Sequence, residues 1–239
     1  MSSPILEPYD AFTGDSLDTS KWYFLQYPIP DQEPWVCREP RARVTASEGR
    51  LEVEVDRFEL QHPLQVIDNC KLVLLSTETF PVPEKGILVV TGEMSAEGVG
   101  TKPHDWQDGF ASLILIDLAT GLVFDICANS ESVGAIHEQL PINPDVPCFT
   151  HLVEAPLVGA TTTPGQTHEC RITLDAAGRT ATWSVDGHEV FRAAGIDIPT
   201  SVALGMGIFT LRPVNEGGSN SLHGQGFKAS WSNLTVTSA

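Results

Sequence analysis

Residues 109–140, GFASLILIDLATGLVFDICANSESVGAIHEQL, constrain this chain more than any other stretch. Three short apolar runs, 110–118, 122–129 and 133–140, are separated by turns at Ala119-Thr120-Gly121 and at 130–132. Such runs predict an antiparallel meander. Side chains alternate between the faces of a strand, so Leu122, Phe124, Ile126 and Ala128 share one face of the middle run. Val123, Asp125, Cys127 and Asn129 share the other. The first set reads as core. The second places a carboxylate, a thiol and an amide in a row, an unusual mix for a purely structural surface. His137 and Glu138 are neighbours in the third run, so only one of them can join the face of Asp125. We read that face as the floor of a binding cleft.

The rest of the chain has the same character. Helical periodicity is almost absent, and 20 Gly and 17 Pro recur between short β-branched runs, which argues for a sandwich or barrel. Residues 50–55 alternate Leu51, Val53 and Val55 with Glu52 and Glu54, and pair with 43–45 through a turn at 46–49. Further strands are expected over 71–76, 86–96, 147–154, 167–175, 179–185, 201–211 and 226–237. Asp186-Gly187 is a strong two-residue hairpin signal. No linker, repeat or low-complexity run divides the 239 residues, so one domain over 1–239 is expected.

Composition narrows the partners. Against 14 Lys and Arg stand 31 Asp and Glu, a formal net charge of -17 that repels nucleic acid and anionic membranes alike. The charge serves solubility, or a preference for a neutral or cationic ligand. The N-terminus has neither the basic nor the apolar region of a secretory signal, and no apolar run is long enough to span a bilayer. The five cysteines are odd in number and form no CxxC pair. A cytoplasmic protein with reduced, mostly buried thiols, monomeric or homodimeric, is the expectation.

Candidate chemistry gathers in and around the meander. Asp125, His137, Glu138 and His151 are the candidate catalytic groups. A carboxyl walled by Val, Phe, Ile and Cys loses hydration of its ionised form, which raises its pKa toward a useful range. The alternative for Asp125 is a buried acid satisfied by local donors, and for each histidine a surface or core imidazole. The Pro-rich loop 27–40 offers Trp35 and Arg38, and the loop 97–108 offers His104, Trp106 and Asp108. With Glu93, Cys127, Asn129 and Glu154 these complete the expected ligand-binding set. Cys127 as a nucleophile would need His137 as its base; the alternative is a buried inert thiol. No histidine pair has metal-ligand spacing, so no catalytic metal or other cofactor is expected.

Three segments together carry a family resemblance: FTGDSLDTSKW followed by RVTASEGRLEVEV, the double hairpin THECRITLDAAGRTATWSVDGHEVFR, and the closing FKASWSNLTV. In this order they resemble the concanavalin A-like lectin/glucanase superfamily, most of all its laminarinase-like (family 16) glycoside hydrolases. The resemblance implies an all-β, curved antiparallel β-sandwich, a jelly roll, with a ligand cleft on its concave face. It also implies a structural Ca2+ ion on the convex side, for which Asp10, Gly14, Asp15 or Asp197 could serve. Those hydrolases carry Glu-x-Asp-x-Glu on the cleft strand. Here the matching run is Val123-Phe124-Asp125-Ile126-Cys127, which keeps the central Asp and replaces both glutamates. A retaining glycosidase needs that pair. The scaffold and cleft therefore carry over, and the hydrolase mechanism does not.

Two functions follow from these residues. One is an intracellular enzyme that binds an organic small molecule and catalyses acid–base chemistry: isomerisation, cyclisation or elimination. The other is a carbohydrate protein, either a lectin-like module stacking Trp35 and Trp106 on sugars or a divergent glycoside hydrolase. A closed apolar cleft favours the first and an open polar groove the second.

Overall fold

In the computed structural model the described residues are 8–28, 31, 33–60, 69–142, 144–155, 158–211, 214–215, 218–219 and 222–239. The strands are β1 (Trp22–Phe24), β2 (Gln26–Tyr27), β3 (Trp35–Val36), β4 (Arg43–Ser47), β5 (Arg50–Val55), β6 (Asn69–Pro81), β7 (Ile87–Val99), β8 (Phe110–Asp117) and β9 (Leu122–Ala128). They continue as β10 (Val133–Gln139), β11 (Phe149–Glu154), β12 (Thr167–Asp175), β13 (Thr180–Val185), β14 (His188–Ala194), β15 (Ser201–Thr210), β16 (Val214–Asn215), β17 (Gly218–Ser219) and β18 (Gly226–Ser238). Fourteen of them form two antiparallel seven-stranded sheets. Sheet I has the order β1-β6-β15-β8-β9-β10-β11, and sheet II the order β14-β13-β12-β7-β18-β5-β4.

The predicted meander is the centre of one half of sheet I. Asp125 lies opposite Ile114 on β8 and Ile136 on β10, so alternation holds across all three strands. The inner faces of the two sheets share one core. Leu113, Leu115, Phe124 and Ile126 from sheet I pack with Val90, Ile172, Trp183 and Trp231 from sheet II. Trp231 also donates its indole N–H to the Ser112 carbonyl at 3.1 Å, tying one sheet to the backbone of the other.

The outer faces differ. On β5 and β7 Leu51, Val53, Val55, Leu88, Val90 and Met94 point in, while Glu52, Glu54, Thr91, Glu93 and Ser95 point out, so sheet II has one dry and one wet face. Every residue of β9 and β10 is buried. Sheet I is therefore covered on both sides. Its outer face carries a second apolar cluster of Val73, Leu75, Ile114, Ile116, Val123, Ile136 and Phe209, onto which Tyr27, Trp35, Leu140 and Leu211 pack.

Candidate functional site

The register of β8 to β11 arranges the outer face of sheet I in three rows. The first is Ser112, Cys127, Gly134, Glu154; the second is Ile114, Asp125, Ile136, Leu152; the third is Ile116, Val123, Glu138, Thr150. Asp125 and Glu138 are thus diagonal neighbours on adjacent strands, a placement that puts Cα atoms about 7–8 Å apart. They are 5 % and 6 % exposed. Burial raises the Glu138 carboxyl above the usual range, against a Thr150 hydroxyl that donates to its Oε1 at 2.5 Å. Burial also pushes the Cys127 thiol well up, with Asp125 adding to the effect, so this sulfur is a packed thiol rather than a thiolate nucleophile.

Of the two neighbours His137 and Glu138, it is Glu138 that joins Asp125. His137 points between the sheets, where it stacks on Phe124 with centroids 5.3 Å apart and lies 6.1 Å from Trp183 of sheet II. Desolvation there, helped by His151, lowers its pKa to about 4. His151 pairs directly with His137 across the β10–β11 ladder and is solvent-exposed on the same side. The expectation that these histidines work beside Asp125 is corrected by this register: they belong to an aromatic cluster with Phe149 at the sandwich edge.

The binding set divides likewise. Trp35 packs on the outer cluster, and Trp106 closes one end of it, its indole N–H donating to Glu154 at 3.0 Å. Arg38 stacks on Phe24 at 4.6 Å, and Phe24 packs against the inter-sheet core, so Arg38 lies away from this face. Glu93 is on the outer face of sheet II, accepting from Ser232, and cannot reach Asp125. Asn129 is used by its own turn, its side-chain oxygen accepting from the Glu131 and Ser132 amides.

Asp108 is fully buried as a clamp, accepting from the Lys102 amide at 2.7 Å and paired with His223 at 2.8 Å. His104, held at a positive φ of 56°, pairs with Glu131 at 2.9 Å. It lines a pocket of about 210 Å³ shared with Lys102, Asp105 and Asn129 on the rim. Of the three carboxylates named for calcium, Asp10 accepts from the Phe12 amide and the Trp22 indole, and Asp197 pairs with Arg179, so these two have protein partners. Among the described residues no group of three or more His, Cys, Asp or Glu converges as a metal site.

Sequence reasoning missed three residues of this region. Thr150 sits one strand beyond Glu138 and is found only from the register. Ser112 and Gly134 flank Cys127 in the first row, and neither residue type signals chemistry on its own.

This fold is the concanavalin A-like jelly roll of laminarinase- and lichenase-type glucanases. Similar solved structures include an endo-1,3-beta-glucanase from Streptomyces sioyaensis, at 14% identity and TM-score 0.57 over 99% of this chain and 96% of that one. A beta-1,3-1,4-glucanase (lichenase) derived from a mouse hindgut metagenome matches at 13% identity and TM-score 0.53, covering 97% of each chain. A marine alginate lyase from Zobellia galactanivorans matches at 11% identity and TM-score 0.51, over 98% of this chain and all of that one. No curated protein matches the sequence. Within this fold class the chain belongs to DUF6081, described as a family of unknown function, whose family model matches residues 9–239.

Proposed function

We propose that the outer face of sheet I binds a compact, mainly apolar organic molecule and transfers a proton on it, with Glu138 as the acid and Asp125 as the base. The observation that carries this reading is the joint placement of the two carboxyls on one face, inside an apolar cluster separate from the inter-sheet core. An open sugar groove presents exposed aromatic platforms. Here Trp106 is 8 % exposed and its N–H is already bound to Glu154. Burial raises the Glu138 carboxyl above the ordinary glutamate range, which favours its protonated form and suits it to the acid's role. In the proposed step Asp125 removes a proton from a carbon next to a carbonyl. Glu138 gives its own proton to the carbonyl oxygen, and the C–C double bond of the enol forms as the C–H bond breaks. The enol O–H then returns its proton to Glu138 as the C=O bond re-forms. The electron pair of the enol either takes back the proton held by Asp125 at carbon, completing an isomerisation, or moves to the Cα–Cβ bond and expels a β-substituent that leaves with that proton, completing an elimination.

The test works whichever carbonyl compound is the substrate. The protein is incubated with a library of small carbonyl compounds in D2O, and solvent deuterium gained at carbon is read by mass spectrometry. Incorporation that disappears in both Asp125→Asn and Glu138→Gln is the expected result. No incorporation across the library would sink the proposal.

A second reading, a carbohydrate-active protein, draws support from neighbours of this fold named as glucanases and an alginate lyase. Its carboxyl pair would be the same Asp125 and Glu138, flanking a glycosidic bond. Cleavage or binding within a panel of β-glucans and alginate, lost in Glu138→Gln, would establish it over the first.

A further inference from the structure

Trp106 lies across one end of the outer face. Its ring meets Phe110 on β8 edge to face at 5.9 Å, and its N–H reaches Glu154 on β11. Its Cζ2 is 3.4 Å from where a Cβ on Gly134 of β10 would stand, and the Cys127 sulfur is 3.4 Å from the same point. The indole thus reaches β8, β10 and β11 on the outer face, at the end where Ser112, Cys127, Gly134 and Glu154 form the first row. The Ser112 hydroxyl of that row is buried, with no hydrogen-bond partner among the described residues. Buried hydroxyls are nearly always paired, so an orphan needs an explanation.

The loop that carries Trp106 is fastened on both sides of it, by His104 to Glu131 and by Asp108 to the Lys102 amide and His223. The indole itself is held by one hydrogen bond to Glu154, an exposed residue. Gly134 leaves room for it, since a side chain there would meet the Val153 carbonyl at 2.8 Å as well as the indole.

We propose that Trp106 is a displaceable end wall and that Ser112 is the polar contact behind it, receiving the hydroxyl or carbonyl end of the ligand. This rests on the apolar-ligand reading above. When the indole leaves Glu154, a recess opens over Ser112, Cys127 and Gly134. Asp125 stands in the adjoining row, so a ligand anchored at Ser112 presents a carbon a few bonds away to the base. Glu154 is then a positioning residue that sets how readily the wall yields, and Trp106 sets the length of ligand accepted.

The probes are 1-anilinonaphthalene-8-sulfonate bound to the full-length protein and a series of 1-alkanols that displaces it. Wild-type affinity should rise about fourfold per methylene and then level off. Trp106→Ala should move the plateau to longer alkanols. Ser112→Ala should weaken 1-hexanol about five- to tenfold and leave n-hexane unchanged. Glu154→Gln, which keeps an acceptor, should resemble wild type, and Glu154→Leu should shift toward Trp106→Ala. Where Trp106→Ala does not fold, Trp106→Phe replaces it. The tryptophan emission lost in that variant should move to the red in wild type when 1-hexanol binds. If the dye binds and alkanols displace it but neither the plateau nor that emission moves, the end wall is wrong and the ligand reading stands. If wild-type protein does not bind the dye, both fall.

Discussion

The two outer faces of this sandwich start from the same alternating strands and end in opposite environments. On sheet II the outward residues meet water and one another. Thr91 and Thr235 share a hydrogen bond of 2.6 Å, Ser95 and Ser230 one of 2.8 Å, and Arg43 pairs with both Glu54 and Asp56. A groove of about 270 Å³ there is lined by Arg43, Arg50, Glu52, Glu54 and Lys228, charges of both signs in solvent. On sheet I the outward carboxyls Asp125 and Glu138 lie in an apolar envelope. The same kind of acid is hydrated on one sheet and desolvated on the other. Cover, not residue type, makes the difference.

Glu138→Gln should have the largest effect of any substitution on these two faces. If the outer face of sheet I is a catalytic surface, the exchange activity should fall by about 10²–10⁴-fold. The amide keeps an acceptor for Thr150, so the fold should survive. Its effect on stability carries the opposite sign. Burial raises the folded-state pKa, so the folded protein binds the extra proton as pH rises past the ordinary glutamate range. Stability is lost across that window, and the loss persists at higher pH. Glu138→Gln removes this dependence, and its thermal midpoint should lie above wild type at neutral pH. A lower midpoint together with full activity would place Glu138 in the architecture instead.

The inner core should behave in the reverse way. Trp231 is fully buried and bridges to the Ser112 carbonyl. Trp231→Ala should cost about 3–5 kcal/mol in chemical denaturation. A cost under about 1 kcal/mol would mean that the two sheets are not held by this core.

His137 gives a third measurement. Its folded pKa is about 4 against an ordinary 6.5, so between those values the unfolded chain binds a proton that the folded one refuses. Stability should fall as pH drops through that window, by up to about 3 kcal/mol. His137→Phe should flatten the denaturation midpoint over pH 6.5 to 4, and an unchanged slope would show that the imidazole reaches water.

Much of this contrast was legible in the sequence. The alternation of Leu51, Val53 and Val55 with Glu52 and Glu54 gave the wet face of sheet II, and that of Phe124 with Asp125 gave the two faces of β9. The hairpin turn at Asp186 and Gly187 lies where expected, both residues at positive φ. Strand ends moved by at most five residues; β6 runs over Asn69–Pro81 because its pairing with β15 continues past the apolar run. What the sequence did not settle was register. A shift of one residue exchanges His137 with Glu138, and that choice is made by the 130–132 turn, whose geometry depends on Asn129 holding the Glu131 and Ser132 amides. Glu93 was misplaced for a related reason: periodicity says that a side chain points outward, but only the topology says from which sheet. Arg38 was read from its place on the Pro-rich loop, and the sequence does not show that its guanidinium stacks on Phe24.

The smallest effect expected is on sheet II. Arg43 makes short contacts to Glu54 and Asp56, which raise its pKa further above the ordinary arginine range, yet its side chain is 55% exposed. Exposed ion pairs gain little, because water solvates the separated charges nearly as well and salt screens what remains. Arg43→Ala should shift the thermal midpoint by an amount near the limit of detection, smaller still in high salt, and leave the dye titration and the exchange activity untouched. A large loss of either activity would mean that the wet face communicates with the dry one. The division of labour between the two outer faces would then fail, and with it the ground for seeking the chemistry on sheet I alone.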